Sequence, residues 1–316
     1  MVHWGEKRYY SLDYYLRETF GEKLYKIALD GGMTCPNRDG TLGARGCVFC
    51  SAGGSGDFAS DRRLSVKEQL TQGKRLVSQK HTGSSYIAYY QAYTNTYAPT
   101  EYLEQIFTEA INEPEVKVLS IATRPDCLGP EILELLSRLS KRKPVWVELG
   151  LQTIHKDSAD FIRRGYDLDV FEKAVYDLKQ IGISTIVHTI LYLPGETKVQ
   201  MMETIHYLNE LPIDGIKLQL LHVLKGTDLA TLYDEHPFHL PTMEEYIELL
   251  GEIIAKLRPD IVVHRLTGDG PKRLLIAPLW TSNKRVVLNN IQKSFKDADI
   301  WQGKEYLCQK HLHSIN

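Results

Sequence analysis

From Lys23 onward, short apolar runs are separated by longer stretches in which apolar positions recur every three or four residues. The runs KLYKIAL (23–29), YIAYY (86–90), VKVLSIA (116–122), VWVELGL (145–151), TIVHTILYL (185–193) and IKLQLL (216–221) predict six strands. In the intervening segment VFEKAVYDLKQI, residues Val170, Phe171, Ala174, Val175, Leu178 and Ile181 share one helical face, with Asp167 or Asp169 as its cap. Strand and helix alternate without an internal repeat, low-complexity tract or long linker. That order predicts one α/β domain whose parallel sheet, joined by right-handed crossovers, closes or partly closes into a barrel. Functional side chains then belong at the carboxyl ends of the strands and on the loops that follow them.

Strand parity extends this picture to the barrel interior. In IKLQLL, Ile216, Leu218 and Leu220 suit packing beneath helices, which turns Lys217 and Gln219 inward. The same alternation sends Val145, Val147, Leu149 and Leu151 outward, and Trp146, Glu148 and Gln152 inward, with Ser120 and Arg124 facing the same way from the preceding strand. His188 shares parity with Ile186 and Ile190 and reaches the lumen, where a lone strand histidine is expected to be a satisfied core residue. The predicted lumen is polar.

Composition changes this little: 43% hydrophobic and 25% charged residues, a net charge of -2 and a pI near 6.6 leave nucleic-acid binding to local patches. The amino terminus lacks an apolar signal core and no run of about 18 apolar residues occurs, so no membrane association and a cytoplasmic location are expected. The five cysteines matter more, because three fall in TCPNRDGTLGARGCVFC, as Cys35, Cys47 and Cys50 with the spacing C-x11-C-x2-C. An odd number so clustered does not read as a disulfide framework. Three thiolates in a glycine-rich loop after the first strand suit a metal centre with one open position. Zinc would want a fourth ligand, for which the nearest downstream candidate is His81; free buried cysteines are the other alternative.

A three-cysteine loop ending C-x-aromatic-C (Cys47, Phe49, Cys50), followed by a βα barrel, resembles the radical S-adenosylmethionine (SAM) superfamily, although the first spacing is eleven residues rather than the common three. TCPNRDG with GCVFC, ATRPD (122–126), VELGLQT, RRGY (163–166), YLPGET (192–197) and HVLKGTDL (222–229) are together similar to the subgroup related to the Elongator catalytic subunit, over residues 23–275. The resemblance implies a partial (β/α)6 barrel with extensions at 1–22 and 276–316. It also implies a [4Fe-4S] cluster on Cys35, Cys47 and Cys50 whose remaining iron binds SAM, and a 5'-deoxyadenosyl radical as the oxidant. Phe49 matches the aromatic beside the adenine; Gln91, Thr94 and Asn95, in the turn after the second strand, together with Arg124, Glu148 and Gln152, are expected to contact the cofactor. Cys127 and Cys308 are too far apart to hold a second cluster.

The same resemblance implies tRNA as partner and an electron donor such as flavodoxin or ferredoxin. About 45 residues follow Gly270, too few for the acetyltransferase domain of the Elongator subunit. The expected chemistry is radical remodelling of the C5 substituent of a wobble uridine, for example carboxymethylaminomethyl to aminomethyl. A small-metabolite radical enzyme and a zinc-containing nucleic-acid-binding protein are the alternatives. The segment 284–316, with six Lys or Arg against three acidic residues and Trp301 and Tyr306 interleaved, is a candidate for tracking phosphates, as is the N-terminal cluster Tyr9, Tyr10, Tyr14 and Tyr15; simple packing on the barrel is the alternative for both.

Overall fold

The computed structural model describes residues 4–54, 56–78, 83–268 and 270–307; His81 and Cys308 lie outside them. Nine strands form in chain order: β1 (Tyr25–Leu29), β2 (Tyr86–Tyr90), β3 (Val116–Thr123), β4 (Val145–Gln152), β5 (Ser184–Leu191), β6 (Gly215–Leu220), β7 (Val223–Leu224), β8 (Val262–Arg265) and β9 (Leu275–Ala277). A parallel sheet of order β1-β2-β3-β4-β5-β6-β8 curls into a half-barrel, and β7 pairs with β9 in a small antiparallel ribbon.

All six predicted strands are present, and the sheet gains a seventh, β8, that the apolar pattern did not reveal. Four residues ending in His264 and Arg265 offer too short an apolar run, and β8 forms because Val262 and Val263 find the open edge of β6. On the outer face Phe171, Ala174, Val175 and Leu178 of the helix Leu168–Gln180 are buried, whereas Val170 and Ile181 sit at its margin. Asp167 occupies the cap position without a side-chain cap bond, and Asp169 accepts from the backbone of Val170 instead.

The lower end of the barrel is sealed. Leu16, on the helix Leu12–Phe20, packs with Leu24, Ile87, Val118, Trp146 and Ile186, and Tyr15 lies against Trp146 at 6.0 Å between ring centroids. Tyr9 meets Phe295 edge-on. The N-terminal tyrosines therefore pack at the amino ends of the strands, opposite the cysteine loop, rather than forming a platform at its mouth. Likewise the helix Lys284–Asp297 buries Val287, Ile291 and Phe295, packing on the helix Met243–Lys256, so its apolar stripe covers the barrel wall. Among the described residues no helix is long and apolar enough to cross a membrane.

Candidate active site at the carboxyl mouth

The loop after β1 returns upon itself, which is how eleven intervening residues still leave Cys47 beside Cys35. The carbonyl of Pro36 accepts from the backbone of Leu42 and Gly43, and that of Asn37 from Gly46 at 2.7 Å, closing the excursion at its base. A tight turn joins Cys50 N-H to Cys47 O at 3.0 Å. Arg38 pins the far side by donating to the carbonyls of Cys50 and Ser51 at 3.0 and 2.7 Å. Within CVFC, Val48 is anchored in an apolar cluster with Ile162, Leu193 and Leu221, and Phe49 next to it lines the cavity.

Cys35, Cys47 and Cys50 are all half-buried and line one cavity above the carboxyl ends of the strands. Burial, then the neighbouring Cys50, pushes the Cys47 thiol up to about 11. Metal binding there must displace a proton. Among the described residues no group of three or more His, Cys, Asp or Glu side chains is disposed to hold one metal ion. Three soft donors from one loop facing an open cavity suit a larger iron-sulfur group with a position left for a ligand. Gly54, which has φ +56°, lies flat against a wall of the cavity, since a Cβ there would sit 2.2 Å from the ring of Tyr93.

Of the cofactor residues expected from the sequence, Phe49, Gln91, Thr94, Arg124, Glu148 and Gln152 line this cavity. Asn95 does not: it is fully buried, and its amide donates to the carbonyls of Tyr90 and Ala122 at 3.1 and 2.8 Å, bracing the turn after β2. Arg124 has three of its five N–H donors engaged, two in a two-pronged pair with Asp126 (2.9 and 2.7 Å) and one on the carbonyl of Arg164 at 2.9 Å. Gln152 sits at φ +64° beside a register shift in β4, which aims its amide across the cavity mouth toward Tyr166.

Glu148 lies on the floor of the lumen with no exposed side-chain surface. Its Oε1 accepts from Lys26 Nζ at 2.6 Å and Ser120 Oγ at 2.8 Å; its Oε2 accepts from His188 Nε2 at 2.8 Å and from Lys217 Nζ. Although burial alone would raise it, the two ammonium groups and the histidine hold this carboxyl well below the usual carboxylate range. Burial, then Lys217, lowers His188 to about 4, leaving an uncharged ring that donates through Nε2. His188 is thus satisfied by Glu148, and it also lines the cavity. The partners Lys26 and Tyr89, whose hydroxyl accepts from Lys217 at 3.1 Å, escaped the sequence reading. Applying parity to KLYKIAL and YIAYY would have found them.

Asn37 was also missed, although it stands in TCPNRDG. Its Nδ2 lies 3.5 Å from Cys47 Sγ and donates to the carbonyl of Arg163 at 2.7 Å, tying the cysteine loop to the RRGY turn. Replacing Asn37 by alanine leaves that carbonyl without its donor, and a loss of roughly 1–3 kcal/mol is expected. Thermal unfolding together with iron content after anaerobic loading measures it; an unchanged midpoint and full iron would remove Asn37 from the site's support.

A family model described as "Radical SAM superfamily" matches residues 40–208, and one described as "Radical_SAM C-terminal domain" matches residues 213–297. The uncharacterized protein YtqA of Bacillus subtilis is 44% identical over 299 residues, 95% of this chain and 93% of that protein. Protein YhcC of Escherichia coli is 35% identical over 270 residues, 85% of this chain and 86% of YhcC. Among solved structures, the archaeal Methanocaldococcus infernus Elp3 with an N-terminal deletion superposes with a TM-score of 0.66 at 16% identity, covering 88% of this chain and 64% of that one, and so shares its fold.

Proposed function

Because this chain belongs to the radical SAM superfamily and is related to the Elp3 radical SAM domain, we propose that it modifies tRNA, remodelling the C5 side chain of a wobble uridine, for example from carboxymethylaminomethyl to aminomethyl. Its cofactors are a [4Fe-4S] cluster and SAM. When bound, they supply a 5'-deoxyadenosyl radical, made by one-electron cleavage of SAM, that removes a hydrogen atom from the substrate.

The observation that carries the reading is the convergence of Cys35, Cys47, Cys50, Phe49, Gln91 and Gln152 on one cavity at the barrel's carboxyl mouth. In this proposal the three cysteines hold the cluster, and Phe49, Gln91 and Gln152 contact SAM. Glu148 sets the cavity's floor, since both of its carboxylate oxygens are already engaged, whereas Arg124 keeps two N–H groups beyond those on Asp126 and Arg164 and turns them to the cofactor. Flanking side chains exclude water from the radical, and a small donor protein of the flavodoxin or ferredoxin class delivers the electron in the cytoplasm. The tRNA half of the proposal is supported by the motifs shared with the Elongator subunit.

Mass spectrometry of tRNA nucleosides tests it. A strain lacking the gene should accumulate the longer wobble substituent and lose the shorter one, and re-expression should restore the balance. An unchanged nucleoside profile would overturn the substrate assignment and leave the radical chemistry standing.

A further inference from the structure

A second chamber opens beside the cofactor cavity and shares Phe49, Gln91, Gln219 and Arg265 with it. Ile190, Leu220 and Leu221 give it an apolar wall, while Gln219 and His222 bring hydrogen-bonding groups to it. A flat, polar-edged group fits such a lining. On one lip stands Phe58, 56% exposed although it is a large aromatic residue.

The chain just beyond two of the chamber's lining residues, Leu224 and Pro271, is basic. The ribbon of β7 and β9 continues directly from chamber-lining residues: Lys225 follows Leu224, and Lys272 and Arg273 follow Pro271. Lys225 N-H donates to Leu274 O at 2.7 Å, and Leu274 and Leu275 both donate to Pro271 O, so the turn 271–275 is fixed against Lys225. All three basic side chains are exposed, and none has a hydrogen-bond or ion-pair partner among the described residues. Asp228, three residues after Lys225, is instead engaged by Arg45 and Arg163. On a chain whose net charge is -2, three exposed cations beside one short ribbon, unpaired among the described residues, form a local anion-attracting ledge.

We propose that this ledge and the chamber beside it form an RNA-binding site: Lys225, Lys272 and Arg273 hold backbone phosphates, Phe58 stacks on an unpaired base, and the nucleoside between them turns into the chamber. The inference rests on the RNA reading above and adds the surface that presents the substrate. Cations that follow a backbone, beside an exposed aromatic face and a pocket, are the means by which proteins take single-stranded nucleotides. The ledge gives affinity without sequence preference, whereas the chamber selects the nucleoside.

The test is filter binding of the cofactor-loaded full chain to bulk tRNA from a strain lacking the gene, across a salt series. The triple variant Lys225→Ala, Lys272→Ala, Arg273→Ala should bind roughly 10- to 100-fold more weakly at low salt, with a salt dependence shallower by about two log units per log unit of salt. Phe58→Ala should weaken binding roughly 5- to 100-fold with the salt dependence unchanged. A charge-matched control, Lys117→Ala, Lys141→Ala, Lys179→Ala, removes exposed cations near the amino ends of β3, β4 and β5 and should bind like the parent. Thermal midpoint and iron content establish that each variant is folded and loaded. Equal losses in both triple variants, no loss in the ledge variant, or no RNA binding by the parent would overturn the proposal. Ledge-dependent binding with an unchanged nucleoside profile would instead sink the wobble-uridine assignment alone.

Discussion

Replacing Cys47 by alanine is expected to remove the iron-sulfur cluster and with it all reductive cleavage of SAM, a loss on the order of a thousandfold or more. The protein supplies three sulfurs to the cavity and no fourth donor of that kind among its lining residues, so a missing thiolate has no substitute. Cys35→Ala and Cys50→Ala should behave alike. The loop itself should survive, because its closure depends on the backbone of Pro36 and Asn37 and on the grip of Arg38 on two carbonyls, not on sulfur. Cys127→Ala is the internal control. Cys127 lines a different hollow, and burial followed by Asp126 pushes its thiol up to about 12, keeping it protonated at neutral pH. Anaerobic reconstitution with iron and sulfide analysis, followed by assay of 5'-deoxyadenosine, reads all four variants. Full iron in Cys47→Ala, or stoichiometric zinc in the parent protein, would defeat the cluster assignment.

The six long strands were legible because each carries a run of apolar residues that only a buried strand explains, and parity then placed Lys217, Gln219, Glu148 and Gln152 at the lumen correctly. Parity gave the side on which Gln152 lies but not how its backbone turns there, since its positive φ and the register shift beside it have no signature in VELGLQT. β8 was invisible for a different reason: its two valines gain burial only from an edge that distant residues create. Thr197 and Thr227, in LPGET and KGT, cap the helices that follow them, and Arg124, in TRPD, pairs with Asp126 and ties its loop to the carbonyl of Arg164 in RRGY. Such motifs mark the architecture of the mouth, so they identify the family without naming the atoms that touch a substrate. Asn95 differs from the rest of the turn after β2 in its position. Its neighbours Gln91 and Thr94 line the cavity, whereas its own amide closes the backbone of β2 against β3.

Glu148→Gln is expected to cost about 3–5 kcal/mol at neutral pH, because it leaves the Lys217 ammonium, whose side chain is only 4% exposed, without its anion. The carboxylate does more than neutralise one charge. From β4 it reaches Lys26 on β1, Ser120 on β3, His188 on β5 and Lys217 on β6, so a half-barrel that never closes is drawn together across its lumen by one side chain. Two pH signatures distinguish this account from simple loss of packing. The Glu148 carboxyl is lower in the folded protein than in the unfolded chain, so its contribution is complete above the unfolded value of about 4.3 and is lost as pH falls through the folded one. The parent and the variant should therefore converge in acid. Burial, in turn, lowers the Lys217 ammonium below its ordinary value of 10.5, and without Glu148 it falls further. Between the lowered value and the ordinary one the unfolded chain binds more protons than the folded one, so the variant should regain stability as pH rises through that interval toward about 10. A double variant, Glu148→Leu with Lys217→Met, removes the charge and its partner together and should be more stable than Glu148→Leu alone, with a coupling of roughly 0.5–3 kcal/mol. Urea unfolding across that pH range measures each of these differences. Parallel stability curves for the parent and Glu148→Gln would show that shape, and not the buried charge, is what Glu148 contributes.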